Sequence, residues 1–348
     1  MLKINPKLVE QVRAAQSPED LHQLVQGAIE LEHATIPAYL AAYFTLKLGT
    51  NQPVAEIIRS VVVEEMLHMS IASNLLIAIG GRPVINKPGF IPTYPGPLPM
   101  NIGGLIVPIR KCSIDLVQNV FMKIEEPDEP IPIKAAATPA PVEYNTIGDF
   151  YHALELKLRE MGPKAFAHGR FHEEMVDNTW FSPTELFPIT DEHTAAAGIR
   201  LIVRQGEGTR IDPLDPQNEP AHYYRFEQIV KGRRLIKDPA APSGFSFGGA
   251  PVTLDVTNVW DMQPDPPNPD TLPADSAARR AATAFAYGYT SLLNALHDTF
   301  NGAPSTIGRA MGLMYQLRLQ AQEVLQTPLP DHPGVSTGLS FTYQPTTA

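Results

Sequence analysis

Between residues 17 and 48, apolar side chains recur at Leu21, Leu24, Val25, Ala28, Ile36, Tyr39, Tyr43 and Leu46, a spacing of three and four that winds them onto one face of a helix. Ser17 supplies an N-cap, Asp20 an acid in the first turn, and Gly49 a stop. A second stripe, Ile58, Val61, Val62, Met69, Ala72, Leu75, Leu76 and Ile79, predicts a helix over 53–80 that ends at Gly80 and Gly81. Only Gly49, Thr50, Asn51 and Gln52 join the two, so they form an antiparallel hairpin. Further helical periods cover 146–162, 191–207, 218–232, 275–300 and 304–326.

The period is lost over 83–145, where Gly104 to Ile109 and Val120 to Ile124 read as strands or extended coil. Residues 240–258 read as extended and Gly-rich, and the tail from 327 as coil with one strand around 339–343. The 35 prolines are about twice the usual share and concentrate in 83–143 and 263–273. Interleaved with Ile, Val, Phe and Tyr, these stretches are expected to be ordered coverings rather than disorder. The whole predicts a mainly α fold in one domain spanning 1–348. Its core is a four-helix bundle from 17–48, 53–80, 191–207 and 218–232, covered by segments 83–145 and 240–273 and extended by helices 146–162, 275–300 and 304–326.

Composition removes several function classes. A net charge of −10 with no Lys/Arg cluster argues against a nucleic-acid partner. One cysteine, Cys112, excludes an internal disulfide framework and suits a reducing cytoplasm. The N-terminus, MLKINPKLVEQVRAAQ, lacks the apolar stretch of a signal peptide, and no run approaches the ~18 apolar residues of a membrane span, so a cytoplasmic protein is expected.

The chemistry lies in Glu-x-x-His. On a helix, residues three apart share a face with Cβ atoms roughly 5–6 Å apart, so a carboxylate and an imidazole reach one metal ion. Chance gives about 0.6 such matches, and four are present: Glu19/His22, Glu30/His33, Glu65/His68 and Glu219/His222. Face decides among them. Glu32 falls in register with Val25, Ala28, Ile36 and Tyr39, whereas Glu30 lies about 200° away and Glu19 sits in the first turn, where an acid favours the helix dipole. His22 and His33 are then expected at the surface or its boundary.

Glu65 and His68 interrupt the core stripe of the second helix, which is costly unless they are paired or metal-bound, and Glu64 lies toward its edge. Glu32 precedes the hairpin connection by 18 residues and Glu65 follows it by 15, roughly 27 and 22 Å of helix, so the two carboxylates face each other within about one turn. In the second half, Glu207 continues the stripe Ala196, Ile199, Val203, and His222 aligns with Phe226, Ile229 and Val230. Pro220 is tolerated only in a first turn, so Glu219 must lie at the helix start. Glu155, beside Ile147, Phe150, Leu154 and Leu158, competes for the place of Glu207. The expected metal ligands are Glu32, Glu65, His68, Glu207, Glu219 and His222. The competing explanation is a set of buried ion pairs or surface residues at helical spacing.

The runs AIELEHATIPAYL, VVVEEMLHM, ITDEHTAAAGIRLIVRQGEG and AHYYRFEQI, taken together, resemble the bacterial ferritin-like domain of iminophenylpyruvate dimer synthases in violacein and indolocarbazole biosynthesis. The resemblance covers most of 18–326. It implies a ferritin-like four-helix bundle, a di-iron centre and oxidative chemistry on a small organic substrate. The named synthases are much longer chains, so their substrate does not carry over. The function expected is a non-haem di-iron oxidoreductase holding two Fe, or Mn, per chain. Glu65 and Glu219 would bridge, Glu32 and Glu207 would be terminal, and His68 and His222 would complete the shells. Its expected partners are a small organic substrate and O₂, with a homo-oligomer left open. The alternatives are a ferritin-like ferroxidase and a metal-free helical interaction module.

Overall fold

The computed structural model of the chain describes residues 4–127, 147–206, 212–215 and 217–344. A short helix α1, Pro6–Ala14, precedes the hairpin of α2, Pro18–Thr45, and α3, Gln52–Ala78. Ser17 N donates to the Asp20 carboxylate at 2.9 Å, closing the start of α2. Asn51, in the left-handed region at φ 50°, turns the chain into α3. At the other end Gly80 takes φ +86°, and Gly81 N reaches back to Leu76 O at 2.8 Å, the glycine stop that ends a helix.

Both helices are buried on nearly every face in their second halves, which marks them as the centre of the structure. Helix α3 is long and apolar enough to cross a membrane, yet most of its apolar window is buried against protein. Around the hairpin pack α6, Ile147–Met161, α7, Glu192–Gly206, α8, His222–Lys231, and the antiparallel pair α9, Ala277–Phe300, and α10, Ile307–Gln326. Three two-stranded antiparallel ribbons sit outside the bundle: Gly96–Leu98 with Ile102–Val107, Ile236–Lys237 with Phe245–Ser246, and Pro328–Leu329 with His332–Ser336.

Three elements depart from the periodicity reading. Residues 120–124 are helical rather than extended: α4, Ile114–Leu116, leads through a π-helical turn, Val117–Phe121, into α5, Met122–Ile124. Ser113 Oγ caps the start of this segment at Leu116 N, 3.1 Å away. The helix at 218–232 begins at His222, because 213–215 and 217–221 are tied to one another by hydrogen bonds. Asp215 N donates to Glu219 O at 2.8 Å, the Asp215 carboxylate accepts from Glu219 N at 2.9 Å, and Ala221 N reaches Pro213 O at 2.9 Å. Finally, the C-terminal strand is 332–336, while 339–343 has no strand and contributes Leu339 and Phe341 to the core as irregular chain.

Candidate metal centre

Among the described residues, five side chains of metal-ligating type converge where α2, α3, the end of α5 and the start of α8 meet. They form two triads, Glu32 with Glu65 and His68, and Glu65 with Glu125 and His222, whose candidate ligand atoms lie within 4.8 Å of one another inside each triad. Glu65 belongs to both. None of the five is more than 8% exposed. Three carboxylates and two imidazoles removed from water together are costly unless cations or protons compensate them.

Both histidines present Nδ1 to this cluster and have Nε2 engaged behind it. His68 Nε2 donates to Gln205 Oε1 of α7 at 3.0 Å, and its Nδ1 lies 3.6 Å from Glu32. His222 Nε2 meets Glu64 at 3.1 Å, and its Nδ1 lies 2.9 Å from Glu65 and 3.4 Å from Glu125 without a well-formed hydrogen bond. A partner on the far ring nitrogen fixes the tautomer and leaves the near lone pair for a metal ion. Glu64 is itself anchored by Arg225 at 2.6 Å, and Arg225 lies 3.7 Å from Asp215 in the turn before α8.

Each carboxylate also receives a hydroxyl. Tyr151 of α6 donates to Glu32, Tyr39 of α2 to Glu125, and Thr35 to Glu65 at 3.1 Å. Burial, reinforced by the neighbouring carboxylates, pushes both tyrosines well above the usual phenol range, so they stay protonated donors. Burial, then Glu125, raises Glu65 to about 7 against the opposing pull of His222 and His68. Burial lowers His222, but Glu125, Glu64 and Glu65 outweigh it and hold the imidazole well above its ordinary value. Burial raises Glu64, yet the bonds to His222 and Arg225 prevail and bring it down to about 2.

The donor set fits a pair of hard divalent cations. Oxygen ligands with one nitrogen each suit Fe(II) or Mn(II), Glu65 is placed to be shared, and a cation would relieve the crowding that raises Glu65. A cavity of about 60 Å³ reaches Glu32, Glu65, His68 and Glu125 beneath Leu98, Ile124, Ile147, Ile202 and Val203.

Of the residues expected from sequence, Glu32, Glu65, His68 and His222 are brought together. Glu219 is not: it is exposed, in the turn that precedes α8. The helical spacing assumed for Glu219 and His222 does not exist there, because Pro220 and the Asp215 turn delay the helix to His222. Glu207 lies outside the described residues. Glu155 is committed elsewhere, to Arg200 at 2.6 Å and Arg159 at 2.9 Å. His33, expected at the surface or its boundary, is buried. Glu125 is the residue that sequence reasoning missed. Its signal was short but present: Val117, Phe121, Ile124 and Glu125 follow i, i+4, i+7, i+8, masked by proline-rich flanks.

A helical bundle holding carboxylates and histidines on facing helices defines a class of proteins, and the comparisons agree with it. The Ferritin-like family model matches residues 25–231, and the chain belongs to that family. Among solved structures, a ferritin-like protein from Caulobacter vibrioides superposes with a TM-score of 0.56 at 21% identity, over 92% of this chain and 97% of that one. At that identity the likeness shows the fold alone. No functionally curated protein matches the chain.

Proposed function

We propose that this protein is a non-haem di-metal carboxylate oxidoreductase that uses O₂ on a small organic substrate, with iron as the expected metal and manganese as the substitute. The single observation that carries the reading is Glu65, shared between two buried triads that each add one histidine and one further carboxylate. Glu32, Glu65 and His68 would hold one ion, and Glu65, Glu125 and His222 the other. Two such ions, when bound, supply the electrons and open coordination positions for reducing O₂.

The chain's own residues have definable parts in this. Gln205 and Glu64 keep the two imidazoles turned with Nδ1 inward. Tyr151 and Tyr39 keep their phenol protons and donate them as hydrogen bonds to the Glu32 and Glu125 carboxylates at the edge of the centre. The aliphatic roof of the cavity limits water, which strengthens every charge interaction below it. The resemblance of the sequence to the ferritin-like domain of iminophenylpyruvate dimer synthases supports an organic substrate over stored iron. A cytoplasmic site of action belongs to the same proposal.

Elemental analysis of purified protein, after anaerobic loading with Fe(II) and desalting, tests the reading. Two metal ions per chain, with O₂ uptake that requires them, is the expected result. Iron accumulating far beyond two per chain would move the assignment to a storage ferroxidase, and no retained metal under any loading condition would overturn it.

A further inference from the structure

The α2–α3 hairpin has a second working face. Glu32, Thr35 and Tyr39 on α2, with Glu65 and His68 on α3, turn toward the metal centre. One residue further round the helix, His33, Ile36, Leu40 and Tyr43 on α2, with Val62 and Met66 on α3, line a separate cavity of about 300 Å³. Helices α9 and α10 close it, with Trp180 and Phe181 at its side. That volume lies at the small end of the range ligand pockets occupy, ~300–1,000 Å³.

Its polar groups are few and segregated. At the buried end, His33 Nε2 meets the Tyr289 hydroxyl at 2.7 Å, and both residues are at most 2% exposed. The phenol proton needs an acceptor, so Nε2 accepts and the hydrogen of the neutral ring sits on Nδ1. His33 Nδ1 then remains a buried donor with no partner among the described residues. A buried donor left unmade asks for an explanation, and a ligand acceptor is one. At the other end stand exposed Arg59 and half-buried Arg318, the latter 5.0 Å from the Tyr43 ring. No carboxylate lines the cavity, and neither arginine makes an ion pair among the described residues.

We propose that this cavity binds a small amphipathic monocarboxylate, its carboxylate held by Arg59 and Arg318, its apolar body in the aliphatic and aromatic channel, and an oxygen acceptor at the buried end meeting His33. The site is independent of the metal centre on the opposite face of the hairpin. An apolar wall with a few polar groups is the usual make-up of a small-molecule site, and a guanidinium suits a planar carboxylate.

Titration of the protein with decanoate, decanol and 10-hydroxydecanoate tests this, followed by calorimetry and by Trp fluorescence. Each titration is run on the protein as purified and after chelator dialysis. Expected is one site per chain, decanoate binding about ten-fold tighter than decanol, and no loss after chelation. The Arg59→Gln/Arg318→Gln double variant should erase the preference for decanoate while leaving decanol binding intact. The hydroxyl of 10-hydroxydecanoate should add affinity in the native protein and lose that gain in His33→Leu. Trp180→Phe should remove the fluorescence change but not the heat, which places the ligand. Equal affinity for decanoate and decanol, binding lost with the metal, or no saturable binding would overturn the proposal. The same protein's metal content is read separately, so failure here leaves the di-metal reading standing.

Discussion

Exchanging Glu125 for glutamine separates the side-chain cluster of the structure, with Glu125, from the ligand set expected with Glu219. Glu125→Gln keeps an oxygen for the Tyr39 hydroxyl but removes one anion from the triad with Glu65 and His222. In metal-free protein two opposed effects are deleted together. Two carboxylates within 4.8 Å repel by about 3 kcal/mol at an effective dielectric constant of ~20, whereas His222, 3.4 Å away, attracts by a comparable amount. The metal-free stability should therefore change little. The metal response should change much. Loss of even an outer-shell partner typically weakens metal binding about 10–100-fold, and a direct ligand should cost at least the upper figure. Metal at 100 times Kd stabilises by about 2.7 kcal/mol, and a 100-fold loss reduces that to about 0.4 kcal/mol. For a chain of this size that is a rise in Tm of roughly 4 °C on adding Fe(II) or Mn(II), cut to about 0.5 °C in the variant. The assay is anaerobic thermal denaturation with and without metal, with Glu219→Gln alongside. Glu219→Gln should behave as the parent. An unchanged metal-induced shift in Glu125→Gln, or an equal loss in Glu219→Gln, would refute the assignment of Glu125.

Three further outcomes follow from the same geometry. Glu64→Gln and Gln205→Ala should each weaken metal affinity about 10–100-fold without changing stoichiometry, read by competition with a chelating dye; unchanged affinity in both would show that the histidines need no orientation from behind. Burial lowers His33 to about 3, so the folded state binds fewer protons than the unfolded one between pH 3 and 6.5. Its contribution is complete above pH 6.5 and declines by up to about 1.4 kcal/mol per unit as pH falls through that window; urea melts of the parent and His33→Gln from pH 4 to 7 should differ in slope, and parallel curves would refute it. Burial raises Glu174 to about 8 despite the Ile189 amide, 2.7 Å away. The folded state then holds the extra proton, so its contribution is full below pH 4.5 and is lost as pH rises to 8. Glu174→Gln should flatten that decline, and a decline of the same size in the variant would assign it to other groups.

Local pattern determined much of this protein before any packing was considered. The period of α2 and α3, the four-residue connection between them and the acids that interrupt their stripes are all local properties, and helical geometry converts them directly into faces and heights. That is why Glu32, Glu65 and His68 were legible together. His222 was legible through its own short stripe, although the partner assigned to it was not. Glu219 failed because a three-residue spacing has meaning only inside a helix, and Asp215 with Pro220 holds that stretch in a turn. Glu125 was hidden because its stripe spans only a π turn between two single helical turns, a short signal masked by proline-rich flanks. Glu64, Gln205 and Tyr151 could not be found at all from spacing: each is ordinary along its own helix, and only the meeting of α3, α6, α7 and α8 brings it to the centre. The same holds for His33, whose sequence placed it beside a metal-facing glutamate and whose burial was decided by Tyr289 and Phe90, contributed from elsewhere in the chain. Helix faces are written locally, but which face is covered, and by what, depends on contacts between residues far apart along the chain, such as His33 with Phe90 and Tyr289.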